Sequence, residues 1–391
     1  MEIEVGLLTG GQDKPYALGL AMSLASRGIW LDFIGSDELD CPELHATAKL
    51  SFLNLRGNMS SDVPLSEKSR RILLYYFRLL SYVATARPKV LHVLWNNRFE
   101  YFDRTLLMAF YRIIGKRIVL TAHNVNIRKR DKTDTLLNRL TLRIQYRLCS
   151  HIFVHTEKMK VELTNEFGVQ ASDVSVIPFG INETVPNTEL TSAQAKRRLG
   201  ISEDDKTILF FGRIGRYKGL EFLVEAFQKL AEQDTRYHLI VVGKPKGGCE
   251  EYVESTLRTI RAGEYRNRVI QKIEFVPDED TEIYFKAADI LALPYTDIFQ
   301  SGLIFLAYNF GLPVVATDVG SFREEVIEGS TGFICKPRDP AALQEAFERY
   351  FESDLFKNLS NIRQKIREHG RTRHSWDVVG EMTRKVYVKV V

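Results

Sequence analysis

The chain is poor in the features that would fix a function at once. Its four cysteines (Cys41, Cys149, Cys249, Cys335) are scattered through 391 residues with no CxxC or other metal-ligand spacing, which argues against a disulfide framework or a thiolate metal centre. No apolar run approaches the roughly 20 residues that a membrane-crossing helix needs. Neither a GxGxxG dinucleotide turn nor a GxxxxGK[ST] phosphate loop occurs. The opening MEIEVGLL carries acids and moves straight into an apolar strand, unlike a secretory signal, so reduced thiols and a cytoplasmic location are the expectation. Short internal repeats and low-complexity tracts are also missing.

What is present is the composition of a globular protein, 45% hydrophobic and 27% charged, in a chain too long for one ordinary core, so two domains are expected. The net charge of +4 conceals an asymmetry: residues 51–150 carry 19 Lys/Arg against 6 Asp/Glu, a local +13 that leaves −9 elsewhere. Arg128, Lys129, Arg130 and Lys132, then Arg139, Arg143 and Arg147, lie in this region. Such a block suits nucleic acid, an anionic bilayer surface or an anionic substrate, or is simply a solvated face. The stretch 136–148 interleaves Leu and Ile with Arg and reads as an amphipathic basic helix, able either to lie on an anionic bilayer or to pack on its own domain. No recognised nucleic-acid module accompanies the charge.

Apolar runs alternate with helical periodicity. A strand at 3–8, a helix at 17–27 and a strand at 30–34 make a βαβ opening, which argues for a parallel sheet. Further strands are expected at 50–53, 90–94, 117–121, 152–154 and 174–177, with helices at 67–85, 104–114 and 136–148. The segment 178–187, with two prolines and little periodicity, reads as a linker. A helix at 191–199 and strands at 208–211, 239–242, 269–275, 290–293, 314–316 and 333–334 follow. The expected fold class is therefore α/β, two doubly wound Rossmann-like domains facing a cleft, over residues 1–182 and 190–374, with the terminal helix 375–391 packing back on the first.

Ligands of open α/β sheets bind outside the carboxyl ends of the strands. Gly10 and Gly11 follow the first strand there. His123 and Asn124 follow the strand over 117–121, with a structural histidine as the alternative reading. In HVLWNN (92–97), Asn96 and Asn97 suit a polyol and Trp95 suits stacking on a sugar ring. The most informative stretch is TILFFGRIGRYKGLEFLVEAF (207–227): a buried strand, then Gly212, Gly215 and Gly219 interleaved with Arg213, Arg216 and Lys218, then an amphipathic helix. A glycine turn exposes free N–H groups and the positive end of a helix dipole, and cations make it a receptor for a pyrophosphate, the alternative being an ordinary turn with solvated cations. After the strand at 290–293, Gln300, Ser301, Gly302 and Leu303 open an almost wholly apolar helix and form a second anion site, with Gln300 or Ser301 as cap. A third turn, Asp318 to Ser321, places Glu324 and Glu325 in the first turn of a helix, either to complement its dipole or, for Glu324, to accept sugar hydroxyls. Asp278-Glu279-Asp280 is DxD-like but reads as a solvated loop, not a metal site.

The order GR-x4-KG (212–219), AADILALPY (287–295) and GLPVVATDVGSFREE (311–325) resembles retaining GT-B glycosyltransferases of family 4. TGG near the start, His123-Asn124, VIPFGIN (176–182) and Ser375-Trp376 agree, so the resemblance spans nearly the whole chain. It implies an enzyme of hexosyltransferase type that moves a sugar from a UDP- or GDP-linked donor to a glycan or lipid-linked acceptor, in polysaccharide or glycolipid synthesis, with no metal and no cofactor beyond that substrate. Arg213 and Lys218 would hold the diphosphate, and His123 would contact the donor sugar near the reacting carbon. Gly10 and Gly11 would give backbone contact near the phosphate or the acceptor, and Ser301, Gly302 and Leu303 would offer amides to the distal phosphate. Val276 and Pro277 would lie near the nucleobase, and Asn124, Gly212, Gln300 and Glu324 would complete the donor site. The acceptor is expected on the basic first domain, either in the cytoplasm or at the inner membrane face. One departure matters: the family's E-x7-E positions hold Ile298 and Leu306, and Leu306 cannot bind a ribose. The QSG sequence (300–302) resembles a subset of the family with an altered loop. A nucleotide-sugar epimerase and a non-catalytic binding or scaffold protein on the same fold are the competing readings.

Overall fold

Two parallel sheets, one in each of two units, account for the strands of this computed structural model, which describes residues 2–11, 13–59, 64–130, 133–181 and 185–391. Lys132, Asn182 and the side chain of Arg130, named above, lie outside the described residues. The first unit comprises Met1–Gly180 and His374–Val391, the second Ile181–Arg373.

The first unit's sheet holds β1 (Glu4–Leu8), β2 (Trp30–Gly35), β3 (Leu50–Asn54), β4 (Val90–Val93), β5 (Arg117–Thr121), β6 (His151–Val154) and β7 (Val174–Val176), in the order β3-β2-β1-β4-β5-β6-β7. Every pairing is parallel. The central strands are short apolar runs buried on both faces, as a helix-covered parallel sheet requires. The chain steps one way from β1 to β3 and the other way from β4 onward. Right-handed crossovers therefore put the Lys14–Ser26 helix on one face and the Leu65–Thr85, Met108–Ile113 and Leu136–Leu148 helices on the other.

On the first of these faces, Asp13 caps the Lys14–Ser26 helix by accepting from the Tyr16 N–H, and Tyr16, Ala17, Leu20, Ala21 and Leu24 bury its inner side. The C-terminal helix Trp376–Val390 packs beside it through Val379, Val386 and Tyr387. Ser375 caps that helix at the Val378 N–H, and glycines make room for Trp376: a Cβ at Gly19 or Gly180 would stand 2.1 or 2.4 Å from its indole.

The second sheet holds β8 (Lys206–Phe211), β9 (Tyr237–Val242), β10 (Val269–Lys272), β11 (Ile290–Leu293), β12 (Val314–Thr317) and β13 (Gly332–Cys335), in the order β10-β9-β8-β11-β12-β13, again parallel. β8 and β11 are the central pair, so the turns that leave their carboxyl ends are neighbours. Residues 185–187, expected as the end of a linker, and Thr188 after them are fixed to this unit: Thr188 donates from N and Oγ1 to the Glu282 carboxylate (2.5 and 3.0 Å), and Asn187 donates to the Asn309 carbonyl.

Candidate functional site

In the second unit three strand-to-helix turns meet. Leaving β8, the chain makes a one-turn 3-10 helix (Arg216–Lys218), then Gly219 in the left-handed region, then the Leu220–Gln233 helix. A Cβ at Gly219 would stand 2.1 Å from the Pro294 carbonyl beyond β11, so glycine is what lets the first turn press on the second. The second turn ends at Ser301, whose Oγ accepts from the Leu303 N–H at the start of the Gly302–Asn309 helix. The third, after β12, closes on the second: the Ser321 N–H donates to the Phe299 carbonyl (2.9 Å), and a Cβ at Gly320 would meet the Ile298 carbonyl at 2.4 Å.

Lys218 sits inside this junction. It is 7% exposed, its Nζ donates to the Phe211 carbonyl (3.1 Å), and it lies 5.4 Å from the Tyr295 ring. The Tyr295 hydroxyl is 3.4 Å from the Ser301 Oγ, so Lys218 and the amino end of the Gly302–Asn309 helix share one aromatic partner. Gly212 leaves room for the ammonium, since a Cβ there would be 3.1 Å from Nζ. No carboxylate among the described residues faces the ammonium, and burial pushes its pKa down to about 8. Arg213 is exposed, and its side chain makes no hydrogen bond or ion pair among the described residues. A buried cation without a counter-charge among the described residues, on the same turn as an exposed, unpaired guanidinium and next to a helix amino end, suits a dianion.

Gln300 lies in the second turn with both amide atoms, Oε1 and Nε2, buried and without a partner among the described residues. Leu306 and Ile298 are both buried, each 8% exposed. Pro277 precedes the Asp278–Ala287 helix, and Val276 is half-buried. Glu324 is exposed on the short Phe322–Glu325 helix. Asp278, Glu279 and Asp280 correct the expectation of a loop: they form the first turn of a helix, where three carboxylates complement its dipole.

In the first unit, Gly10 and Gly11 are both left-handed at the end of β1 (φ 63° and 72°), and a Cβ at Gly10 would stand 2.8 Å from Trp95. The Trp95 ring stacks on His123 (centroids 4.4 Å apart, planes 6° apart), so that face is taken by protein and not by a sugar. Asn96 and Asn97 are likewise engaged, Asn96 with Gln145 and Asn97 with Arg56 and Tyr75. His123 and Asn124 line a cavity of about 230 Å³ beyond β4 and β5.

A residue that the sequence reading missed determines which proton His123 carries. The register Thr121↔Phe153 between β5 and β6, continued two residues, sets His123 opposite His155. His155 Nε2 and His123 Nδ1 are 3.0 Å apart, and His155 Nδ1 is 3.2 Å from the Ile177 carbonyl. Burial holds the His155 pKa down to about 4 and that of His123 well below the ordinary range, so both rings are neutral near pH 7. A carbonyl only accepts, so the His155 proton is on Nδ1 and its Nε2 is a lone pair. His123 must then donate from Nδ1, which leaves its own Nε2, buried and without a partner among the described residues, as an acceptor. Such a nitrogen accepts from a hydroxyl and has nothing to offer a phosphate oxygen.

Part of the basic excess is neutralised inside the unit: Arg104 and Arg128 pair with Glu100, Lys129 with Glu162 and Glu166, and Arg139 with Asp134.

Two family models match the chain, one described as Glycosyltransferase Family 4 over residues 14–185 and one as glycosyl transferases group 1 over residues 192–373. The D-inositol 3-phosphate glycosyltransferase of Corynebacterium glutamicum (strain R) is 25% identical over 398 residues, covering 97% of this chain and 91% of that protein. Its counterpart in Corynebacterium diphtheriae is 28% identical over 248 residues, 60% of this chain and little more than half (55%) of the relative. Among solved structures, sucrose-phosphate synthase from Thermosynechococcus elongatus superposes with a TM-score of 0.76 at 18% identity, covering 100% and 99% of the two chains. HepE from Anabaena, solved in complex with UDP, superposes with a TM-score of 0.74 at 17% identity over the whole of both chains. At these identities the structural likeness speaks for the fold.

Proposed function

Because the chain belongs to the family 4 glycosyltransferases of the GT-B fold, we propose that it is a retaining hexosyltransferase that moves a sugar from a UDP- or GDP-linked donor to a glycan or lipid-linked acceptor. The observation that carries this reading is the Lys218 ammonium, buried without a counter-charge where three turns converge. A diphosphate supplies what that ammonium lacks, and Arg213 and the Ser301 and Gly302 amides serve its remaining oxygens. Support for a uridine nucleotide comes from the Anabaena neighbour, solved with UDP and with UDP-glucose.

In the proposed reaction the bond from the anomeric carbon to the diphosphate oxygen breaks. The acceptor oxygen bonds to the same carbon from the same face, and its proton passes to a diphosphate oxygen. Charge grows on the diphosphate as it leaves, where Lys218 and Arg213 neutralise it without a metal; one such group is typically worth about 10²–10³ in rate. His123 orients the donor sugar by accepting one of its hydroxyls at Nε2. Gln300 takes the ribose contact that Leu306 cannot make.

The acceptor belongs to the first unit in this reading, at an anionic membrane surface. No helix among the described residues is long and apolar enough to cross a bilayer. Three helices on one face of the first sheet do carry exposed apolar side chains beside arginines: Phe77 (70% exposed), Ile113 (83%) and Leu136 (88%), near Arg78, Arg112 and Arg139. Apolar side chains with cations alongside fit the headgroup boundary, and the proposal expects the protein to sediment with phosphatidylglycerol vesicles and to lose that on Leu136→Glu.

The deciding experiment is turnover of UDP- and GDP-sugars by Arg213→Ala and Lys218→Met variants. Each is expected to lose about 10²–10³ in rate, and activity within about threefold of wild type refutes the reading.

A further inference from the structure

The first unit has a second cavity, of about 360 Å³, to which the reaction above assigns no role. Its walls come from the segment after β3, the first turns of the Leu65–Thr85 helix and the loop after β4. Arg56, Lys68, Arg71 and Arg98 line it together with Tyr75 and Tyr76, and no lining residue among those described is acidic. The side chains of Lys68 and Arg98 make no ion pair or hydrogen bond among the described residues. Three carboxylates come near, Glu67, Glu38 and Asp103. Glu67 is shared by Arg70 and Arg71 (3.0 and 2.9 Å), and Glu38 accepts from the Met59 N–H (2.6 Å).

Arg56 is placed, not merely present. Its guanidinium lies over the Tyr75 ring (4.3 Å to the centroid), and its Nη2 donates to Asn97 Oδ1 (2.5 Å), which also accepts from the Tyr75 hydroxyl (2.6 Å). The Tyr76 hydroxyl donates to Asp103 (2.8 Å), and Asn97 donates to the same oxygen (3.4 Å). The guanidinium is thus oriented from behind by a neutral amide. Glu38 and Asp103 lie within electrostatic reach of it, but no carboxylate among the described residues forms an ion pair with it, and most of its N–H donors remain uncommitted. Four cations converge on one concavity, and the Tyr75 face and the Glu67 carboxylate offset only part of their charge, on Arg56 and Arg71. A bound oxyanion offsets the rest, and tyrosine faces suit the apolar side of a sugar ring.

The cavity also adjoins the proposed site. A Cβ at Gly11 would stand 2.6 Å from Met59 Sδ and 3.2 Å from Arg56 Cδ, and one at Gly10 would stand 2.8 Å from Trp95, the ring stacked on His123. Cavity, glycine turn and His123 are consecutive neighbours within this one unit.

We propose that this cavity is the anion-binding part of the acceptor site, and that the acceptor carries a phosphate within reach of the hydroxyl that is glycosylated. The proposal rests on reading the chain as a glycosyltransferase. The phosphate belongs either to a small sugar phosphate or to a lipid headgroup, which share this chemistry.

The test uses the full chain, wild type and Lys68→Glu/Arg98→Glu, two exposed or half-exposed positions whose change leaves the core alone. Melting shifts are read with glycerol 3-phosphate, with vesicles containing phosphatidic acid, and separately with UDP and with GDP. Wild type is expected to bind a phosphate probe, and the double variant to bind it at least about tenfold more weakly, since a hydrogen bond to a charged group is worth about 1.5–3 kcal/mol. The nucleotide shift is expected to stay the same in both proteins. Loss of glycerol 3-phosphate binding in the variant assigns a soluble acceptor, and loss of vesicle binding alone assigns a lipid headgroup; either supports the proposal. Wild type that binds neither probe, or a variant that binds as wild type does, overturns it. A variant that loses the nucleotide shift as well is misfolded, and Arg56→Gln, which keeps the bond to Asn97 sterically possible, then decides by the same criteria. Failure of both UDP and GDP to shift wild type counts against the glycosyltransferase reading and not against the cavity.

Discussion

Lys218→Met is expected to make the free protein more stable while abolishing the stabilisation that a nucleoside diphosphate confers. In the folded chain the Lys218 pKa is held at about 8 against an ordinary 10.5, because burial removes its water and no carboxylate replaces it. That gap corresponds to roughly 3 kcal/mol in favour of the neutral form. Below pH 8 folded and unfolded chains both carry the charge, so the folded state suffers the whole penalty. Between 8 and 10.5 the unfolded chain keeps a proton that the folded chain has shed, and stability rises with pH; above both values the penalty is gone. Methionine keeps the length and the aromatic neighbours, removes the charge and loses the bond to the Phe211 carbonyl, worth about 1 kcal/mol. The balance at pH 7 is a gain of about 2 kcal/mol, or a rise of roughly 4–8 °C in melting temperature for a unit of this size. The assay is thermal unfolding of both proteins at pH 7 and pH 10, with and without millimolar UDP. The variant should melt higher at pH 7, the gap should narrow towards pH 10, and UDP should raise wild type only. A variant that melts below wild type at pH 7, or that UDP protects as fully as wild type, refutes the argument.

Four further outcomes are expected. His155→Phe keeps a ring against Phe179 but deletes the acceptor for the His123 Nδ1 proton; the KM for the sugar donor should rise about tenfold while UDP alone binds as before, since one neutral hydrogen bond is worth about 1 kcal/mol. Because the His155 pKa is held to about 4, the folded chain refuses a proton that the unfolded chain takes up below 6.5, so wild-type stability should fall by up to roughly 3 kcal/mol from pH 6.5 to 4, and urea unfolding of the variant should show a smaller fall. Gly180→Ala puts a methyl 2.4 Å from the Trp376 indole and should cost about 1–3 kcal/mol in denaturant unfolding, and much less in a Trp376→Leu background, where the obstruction is gone. Gln300→Leu fills the same space without the unpartnered amide and should weaken UDP binding by calorimetry about tenfold; unchanged affinity would show that the ribose is held elsewhere.

The alternation of apolar runs with helical periodicity was enough to place both sheets, because a parallel strand buried on two faces is an uninterrupted apolar run that little else imitates. The helix read over 136–148 has those bounds in the structure. The helix read over 104–114 does not: Glu100–Phe102 and Met108–Ile113 flank a π-helical segment, Asp103–Leu107. The extra residue in that turn accompanies inward-facing Asp103 and Arg104, held by Tyr76 and Asn138, partners that lie far off in sequence. The glycine turn with Lys218 was legible because glycine and cation spacing is local. The burial of Lys218, which gives it its chemistry, was not, since it depends on Tyr295 and the Gly302–Asn309 helix. The His155 partner of His123 was hidden for the same reason. A signal was nonetheless present, in that HN after VLTA and HT after IFV occupy equivalent places at the ends of adjacent parallel strands.

The two histidines and the lysine also show why the proposed roles are not interchangeable. Both kinds of group are buried and both have their pKa lowered, yet the consequence differs in sign. Lysine at about 8 is still largely an ammonium at pH 7, a donor with no acceptor lone pair, and so it answers an accepting oxygen, most strongly an anionic one such as a phosphate's. His123, held neutral with its proton committed to His155, is an acceptor only, and so it can answer only a hydroxyl or amine. Exposing either would blur the distinction: a histidine near its ordinary pKa would be part cation and would compete for phosphate. On this argument the burial of His123 serves selectivity more than stability. A His155→Gln variant tests the point, because a glutamine amide can accept from His123 Nδ1 through its oxygen and leave Nε2 unprotonated. If it keeps the donor KM near the wild-type value while His155→Phe does not, the direction of that one hydrogen bond is what matters; if both variants behave alike, it is not.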